Sequence, residues 1–444
     1  MIEEGVAPRL ERTLARIERE NAESRIFITV DGAGARAAAR ESETRLHDGL
    51  AARPLEGVLT AVKDNLAVAG LPWSAGIGGW RDRRADRDSN AVARLRAAGA
   101  VIVGTLNMHE GALGATSDNP AFGRCQNPLH AGHTPGGSSG GSGAALAAGL
   151  VDLTLGTDTM GSVRIPAAYC GVAGLKPSDG LIGRAGLALL CPSLDCIGPL
   201  APRVADLRVP LSVLAGPDGH DPLSRPAPPD LVAPAGETVR PADLSGRRLV
   251  RLCLPGDVEP EPEVMHAFED AVAAAAAAGA EIVERTIDGW SAQGARRAGL
   301  LLIEAEAARE MAAFVAEDAP AEAVSAEFRA MLDYGRRVPA ERVLQAWQVL
   351  RGMAAAVERT LGGVDALLLP TAPQRAFPHD GATPVNQAEL TAPANFAGLP
   401  ALSLPVPLAG ETLPGAVQLI GHRDRDLDLL DVGEGLERAL ASSL

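Results

Sequence analysis

Lysine is almost absent from this chain of 444 residues. Of its 41 basic residues, 39 are arginines and only two, Lys63 and Lys176, are lysines. A base composition that favours arginine codons would make arginine the ordinary surface cation. Arginine and lysine side chains differ in whether they can release a proton. A guanidinium stays charged in proteins, whereas a buried lysine can lose its proton and act as a base. The surroundings of the two lysines are therefore the first place to look for chemistry.

Aromatic residues make up only 3% of the chain, and no basic patch is interleaved with them. With a net charge of −15, we expect no nucleic-acid partner, because phosphate backbones are bound by clustered cations. The longest apolar runs, residues 144–151 and 271–280, are shorter than the ~18 residues that span a bilayer, and residues 1–20 lack a secretory signal. The five cysteines favour reduced thiols over a disulfide framework. We expect a cytoplasmic protein without a membrane partner.

Strand-like and helix-like segments alternate along the chain. Apolar segments at residues 59–62 and 153–155 predict buried strands, and a helix is predicted over residues 143–148. The alternation predicts an α/β fold: a single large domain over residues 1–444, with a mixed, mostly parallel central β-sheet covered by helices on both faces. Two further predictions concern segments of unusual composition. Prolines cluster in a surface excursion over residues 217–245, and we expect a helical insertion over residues 289–361 to line the substrate pocket.

Two clusters of small residues carry the chemistry, TPGGSSGGS at residues 134–142 and GTDTMGS at residues 156–162. Such glycine density lets backbone N–H groups converge on an anion, either a phosphate or the oxyanion of a tetrahedral intermediate. A P-loop would end in Lys-Ser or Lys-Thr, which is missing. GGSSG at residues 136–140 fits a nucleophile elbow, but that motif follows a strand, and residues 127–135 have loop composition. The third interpretation is a serine nucleophile, Ser162, with a lysine as its base.

Eight segments of the chain resemble the amidase signature family of serine hydrolases. They are PGGSSGGSGAALAAG (135–149), GTDTMGSVRIPAAYCGVAGLKPS (156–178), AVKDNLAVAG (61–70), NMHEGALG (107–114), NPAFGRCQNP (119–128), DALLLPTAP (365–373), FAGLPALSLP (396–405) and PGAVQLIG (414–421). The resemblance spans most of the chain and implies the amidase signature fold. One position departs from the family pattern, because Met160-Gly161 stands where the family commonly has two glycines before the nucleophile.

The resemblance implies a catalytic triad of Lys63, Ser138 and Ser162. Ser162 would attack an amide carbonyl, Ser138 would relay its proton, and neutral Lys63 would accept it. In the family a cis peptide bond precedes the relay serine, which here would join Gly137 to Ser138. The oxyanion would be held by backbone N–H groups of four consecutive residues, Thr159, Met160, Gly161 and Ser162.

Two further residues are candidates for substrate binding, Ser139 and Arg164. Ser139 is also interpreted as a loop hydrogen-bonding residue. Arg164 either pairs with Asp158 to brace the nucleophile turn or contacts a carboxylate on the substrate. We expect no cofactor and no metal ion, since His130 and His133 have only Cys125 nearby and lack a full set of metal ligands. The family resemblance implies a homodimer.

Three functional hypotheses follow. The first is a free-standing amidohydrolase that cleaves the C–N bond of a small-molecule carboxamide and releases ammonia or an amine; aliphatic, aryl and ureido amides all stay open as substrates. The second is the glutaminase subunit of a tRNA-dependent amidotransferase, which has a similar triad but typically a tyrosine-rich segment that residues 289–306 lack. The third is a non-catalytic protein that binds a ligand in the glycine-rich cradle, which the presence of all three triad residues disfavours.

Overall fold

The computed structural model describes residues 5–232, 244–316 and 318–442. Eleven of its strands form one sheet, in the order β1-β3-β2-β6-β8-β7-β12-β13-β11-β9-β10, and β4 pairs with β5 in a separate hairpin. In chain order the strands are β1 (Phe27–Val30), β2 (Leu59–Lys63), β3 (Val101–Leu106), β4 (Asp118–Asn119), β5 (Gly123–Arg124), β6 (Leu153–Asp158), β7 (Ala173–Lys176), β8 (Cys196–Ala201), β9 (Arg248–Leu252), β10 (Glu281–Arg285), β11 (Ala366–Pro370), β12 (Ala401–Val406) and β13 (Gly415–Ile420).

Parallel pairing occurs in two blocks of the sheet. In one block β2 lies between β3 and β6, and in the other β9 lies between β10 and β11. A helix lies between successive strands of each block, as a parallel crossover requires. The strands between the blocks pair antiparallel, as does β1 with β3. The predicted single α/β domain with a mixed sheet is confirmed. Its parallel strand pairs all lie within the two blocks.

Helices cover both faces of this sheet, as predicted. They are α1 (Val6–Ser24), α2 (Gly32–His47), α3 (Asn90–Ala97), α4 (Gly140–Ala147), α5 (Arg164–Cys170), α6 (Arg208–Leu214), α7 (Pro229–Val232), α8 (Pro262–Ala277), α9 (Ala292–Glu310), α10 (Ala326–Arg337), α11 (Ala340–Thr360), α12 (Ala392–Phe396) and α13 (Asp426–Ser442). Within β2, Val62 joins a core with α3, α6, α8 and α13, whereas Ala61 joins a core with α1, α2, α4 and α5. This alternation follows from the two-residue period of a strand.

Serine side chains define where several helices begin. The hydroxyl oxygen of Ser291 accepts a hydrogen bond from the Gly294 amide at 3.0 Å at the start of α9, and Ser325 accepts from Phe328 at 3.1 Å at the start of α10. Such N-caps satisfy amides that have no partner within the helix. The two capped helices, with α11, occupy most of the predicted insertion over residues 289–361.

The proline-rich excursion predicted over residues 217–245 is described as far as residue 232 and again from residue 244; residues 233–243 lie outside the described ranges. Its described part is anchored by two buried carboxylates. Asp221 forms an ion pair with Arg184 at 3.0 Å, and Asp218 accepts from the Ala185 amide at 2.9 Å. Among the described helices, none has both the length and the apolar composition needed to traverse a bilayer.

Candidate active site

Lys63 is the last residue of β2, and its side chain is completely buried. Its Nζ atom lies 2.7 Å from Ser138 Oγ and 2.8 Å from Thr157 Oγ1. Burial lowers the pKa of Lys63 to about 7, although the negative charges of Asp195 and Asp158 act in the opposite direction. A lysine with this pKa is neutral in about half of the molecules near pH 7. It can therefore accept a proton from the serine hydroxyl that it touches.

Ser138 lies two residues before the start of α4, and a cis peptide bond joins it to Gly137, as the family resemblance implies. Its carbonyl oxygen accepts a hydrogen bond from the His109 amide at 3.0 Å. A Cβ atom on Gly137 would lie 2.7 Å from main-chain atoms of Ala115 and Thr116. Only glycine permits this close approach of two main-chain segments, so the first glycine-rich cluster holds Ser138 in position.

Ser162 lies on the turn between β6 and α5 and is half-buried. The Ser139 amide donates to the Ser162 carbonyl oxygen at 3.3 Å, which connects the two glycine-rich turns. Gly161 has a φ of 130°, and a side chain there would collide with Thr391. The structure thus brings Lys63 into contact with Ser138 and places Ser162 on the adjoining turn.

Asp158, at the end of β6, organises the turn that carries Ser162. Its carboxylate accepts hydrogen bonds from the amides of Gly161 at 2.7 Å and Val163 at 3.2 Å, and it forms an ion pair with Arg164 at 3.0 Å. Burial raises the pKa of Asp158, but the charge and hydrogen bonds of Arg164 outweigh burial and hold this pKa well below its usual range. The carboxylate is therefore a permanent anion that fixes the turn.

Arg164 braces the turn that carries Ser162, and its complete burial rules against contact with a substrate carboxylate, which corrects one of the two sequence-based interpretations. Its side chain has no exposed surface. The guanidinium donates to the Asp158 carboxylate, to the Thr391 carbonyl at 2.9 Å, to Gln418 Oε1 at 2.8 Å and to Asn395 Oδ1 at 2.6 Å. With these partners inside the protein, Arg164 has no face directed to a substrate.

Two further assignments from the sequence are corrected. Ser139 is completely buried, and its hydroxyl donates to the Thr157 carbonyl at 3.1 Å and accepts from the Thr157 amide at 3.2 Å. It is a loop hydrogen-bonding residue and does not face a substrate. The Gly161 amide, expected in the oxyanion hole, already donates to Asp158. The backbone amides of Thr159, Met160 and Ser162 stay as the expected donors.

Sequence reasoning missed two residues beside this site, Thr157 and Asp195. Thr157 Oγ1 contacts Lys63 and also accepts from Asn65 Nδ2 at 3.1 Å. Asp195 is buried, and its carboxylate accepts from Thr159 Oγ1 at 2.6 Å. Thr157 belongs to the GTDTMGS string, which was a usable signal, whereas the sequence around Asp195 gave none. Within the described ranges, no group of three or more His, Cys, Asp or Glu side chains is placed to hold a metal ion.

This fold and site define an α/β protein with a buried lysine–serine pair beside a glycine-containing turn that carries Ser162. The family model described as Amidase matches residues 9–430. The chain belongs to the amidase signature family, whose chemistry is the cleavage of amide C–N bonds.

Individual relatives match over nearly the whole chain. It is 35% identical to a subunit of glutamyl-tRNA(Gln) amidotransferase from Synechococcus sp. (strain CC9605), over 97% of this chain and 92% of the relative. It is 37% identical to the corresponding protein from Thermus thermophilus, over 87% of this chain and 86% of the relative. Among solved structures, a chain from a vestigial protein complex linked to the origins of an s-triazine catabolic enzyme matches with a TM-score of 0.89 and 30% identity, covering 98% of this chain and 95% of that one.

Proposed function

We propose that this chain hydrolyses a carboxamide C–N bond through an acyl-enzyme on Ser162. The observation that carries the proposal is the 2.7 Å contact between buried Lys63 Nζ and Ser138 Oγ. As Ser162 Oγ bonds to the carbonyl carbon, its proton passes to Ser138, and the Ser138 proton passes to neutral Lys63. The relay then runs in reverse and protonates the leaving nitrogen, which departs as ammonia or an amine. Water hydrolyses the acyl-enzyme by the same relay.

The oxyanion that forms during this attack needs hydrogen-bond donors. We assign the backbone amides of Thr159, Met160 and Ser162 to this role, since Gly161 donates to Asp158. Removing one such donor from a serine hydrolase costs about 3 kcal/mol in transition-state stabilisation. The Asp158–Arg164 pair keeps the turn that carries these amides in one conformation.

Labelling with a fluorophosphonate tests this proposal. The folded protein is expected to form a covalent adduct, and peptide mass mapping should place it on Ser162. Protein unfolded in urea before labelling serves as the control, because an unactivated serine does not react. If the folded protein stays unlabelled at Ser162, the hydrolase proposal fails and the non-catalytic ligand-binding hypothesis takes its place.

The pH dependence of kcat/KM is expected to follow Lys63. Because the relay needs the neutral amine and burial lowers the pKa of Lys63 to about 7, activity should fall as the pH decreases below about 7 and Lys63 becomes protonated. The measurement is ammonia release from one amide across the range in which the protein stays folded. Undiminished kcat/KM two pH units below this pKa would contradict the role of Lys63.

Asp195→Asn is expected to move this fall in kcat/KM to lower pH. The negative charge of Asp195 raises the pKa of Lys63, so its removal lowers this pKa and keeps the amine neutral in more acidic solution. Asparagine has nearly the same shape. Its Oδ1 can accept from the Leu190 and Cys191 amides, as Asp195 Oδ2 does, and its Nδ2 can donate to the Thr159 hydroxyl. The same pH profile measures the effect, with Asp365→Asn as the control because that half-buried carboxylate pairs with Arg247. If the fall in kcat/KM moved to higher pH instead, the electrostatic effect of Asp195 on Lys63 would be contradicted.

A second candidate is the glutaminase subunit of a tRNA-dependent amidotransferase. The names of the relatives favour it over the free-standing amidase that the sequence analysis places first, because both relatives belong to such an amidotransferase and match over most of their length. The composition of residues 289–306 argues against the amidotransferase subunit, because this segment contains no tyrosine. The two candidates share the acyl-enzyme chemistry and differ in the amide that is cleaved.

Ammonia assays separate the two candidates. For the amidotransferase, we expect glutamine hydrolysis that increases when partner proteins and glutamyl-tRNA are added, together with co-purification of those partners. For the free-standing amidase, we expect the isolated chain to hydrolyse members of a panel of aliphatic, aryl and ureido amides. Hydrolysis of such amides without any glutamine hydrolysis, with or without partners, would reject the amidotransferase assignment.

A further inference from the structure

Met160 lies two residues before Ser162, and its side chain is packed against α9. A Cβ atom built on Gly299, in α9, would lie 2.8 Å from Met160 Sδ and 2.6 Å from Phe396 Cζ. The Met160 thioether and the Phe396 ring therefore both occupy the space next to Gly299, where α9 has no side chain. Met160 and Phe396 both pack on the same buried apolar cluster, which includes Leu302 and Ile303 of α9. The space beside the nucleophile turn is thus filled by apolar atoms.

The backbone of Met160 is held in place as well. Its carbonyl oxygen accepts a hydrogen bond from Thr391 Oγ1 at 2.7 Å. In α12, which follows Thr391 and ends at Phe396, Asn395 Nδ2 donates to Asp158 Oδ1 at 2.8 Å. Hydrogen bonds therefore tie the backbone of the nucleophile turn to α12, which fixes the point from which the Met160 side chain extends.

The proposed relay determines which part of a substrate would meet Met160. The leaving nitrogen must face Ser138, because Ser138 returns the proton to it. Ser138 lies on the side of Ser117 and His109, and its carbonyl accepts from the His109 amide. Met160 lies on the turn of Ser162 itself and is half-buried there, beside Gly299 of α9 and Phe396 of α12. Because the leaving nitrogen faces Ser138, the acyl substituent is the variable part of an amide that is left for the space beside Met160.

We propose that Met160, packed against Gly299 and Phe396, closes the acyl subsite and limits the substrates to amides with short acyl groups, such as acetyl or carbamoyl. This inference rests on the proposed acyl-enzyme function and names its substrate class. A glycine at position 160 removes the thioether and leaves room for a longer chain. One methylene group in an apolar pocket changes discrimination by about 10- to 200-fold, so the effect is measurable.

The test is the acyl-length profile of kcat/KM, from acetamide through propionamide and butyramide to hexanamide. We expect Met160→Gly to raise the ratio for hexanamide over acetamide by about ten-fold or more, and Met160→Ala to raise it less. Met160→Leu, which preserves bulk, should leave the ratio near its original value. Met265→Ala is the matched control, because Met265 is a half-buried methionine packed on a different core.

The variant Gly299→Ala tests the packing of Met160 from the side of α9. Its methyl group would displace the Met160 thioether and the Phe396 ring, so we expect lower kcat/KM even for propionamide. Combining it with Met160→Gly should recover only part of that loss, because the contact with Met160 Sδ at 2.8 Å is removed while the contact with Phe396 Cζ at 2.6 Å stays; such coupling reports direct contact.

Two results would overturn the inference: a hexanamide-to-acetamide ratio within about two-fold of the original in both Met160→Gly and Met160→Ala, or an altered preference along an N-alkylacetamide series instead of the acyl series. Fluorophosphonate labelling of Ser162 in each variant shows that the site is intact. Turnover with an unchanged ratio rejects this inference alone, whereas absence of both turnover and labelling in the original chain rejects the proposed function.

Discussion

Replacing Lys63 with alanine should lower kcat/KM for amide hydrolysis by about 10³- to 10⁴-fold, in the upper part of the range for general acid–base catalysis. Without the amine at 2.7 Å, Ser138 has no group to which it can pass a proton. The loss should appear in acylation, which pre-steady-state ammonia release and the rate of fluorophosphonate labelling both report. Ser138→Ala should be similarly severe, because relay residues act as a unit and their effects do not add.

Lys63→Arg is the control that separates a proton acceptor from a positive charge. A guanidinium cannot be deprotonated in a protein, so this variant should be as inactive as Lys63→Ala at every pH. The chain uses arginine 39 times, which makes a lysine at this position informative. Near-full activity of Lys63→Arg at pH 7 would contradict the assignment. Lys63→Met, which fills the buried space without an amine, checks that the fold survives.

Replacing Arg164 with methionine should lower the free energy of unfolding by about 3–5 kcal/mol, as expected when one partner of a buried ion pair is removed. The Asp158 carboxylate, completely buried, would lose its counter-charge. Urea unfolding followed by circular dichroism measures the change. Activity should fall too, because Asp158 and Arg164 hold the turn that presents Ser162.

The double variant Asp158→Asn/Arg164→Met tests whether the pair causes this loss. Removal of the unpaired charge should recover part of the stability, and the coupling is expected because the two side chains touch. Arg36→Met is the surface control, since the exposed pair with Glu11 is screened by water and contributes little. A single variant Arg164→Met with unchanged unfolding would contradict the bracing role.

Local sequence patterns predicted much of the sheet. The strands expected at residues 59–62 and 153–155 are β2 and β6, each extended so that it ends at a site residue, Lys63 or Asp158. The helix expected at residues 143–148 begins earlier, at Gly140, because the glycines after Ser139 take helical conformation within the buried core. Apolar periodicity is a local property, which explains why it identified these elements.

Elements at the centre of the sheet escaped prediction. Strand β8 contains Gly198 and Pro199, residues that disfavour strands when read locally. In the structure a side chain at Gly198 would collide with the carbonyl of Leu175 on neighbouring β7, so the glycine is required by a contact between strands. Helix α5 is only seven residues long and contains Pro166; its packing in the protein interior stabilises it, and local propensity does not.

The chemical identity of the site was readable in the amino-acid order. Two lysines in the whole chain and two glycine–serine strings pointed to a serine–lysine site with Ser162 as its nucleophile, because such strings are local features. The family resemblance then assigned Lys63 and Ser138 to that site. Only the folded chain showed that Arg164 has no exposed surface, that the Gly161 amide is taken by Asp158, and that Asp195 lies near Lys63. Only the folded chain placed Met160 against Gly299 and Phe396. These facts depend on burial and on contacts between residues far apart in the sequence, so tertiary packing decided which of the candidate groups are free to meet a substrate.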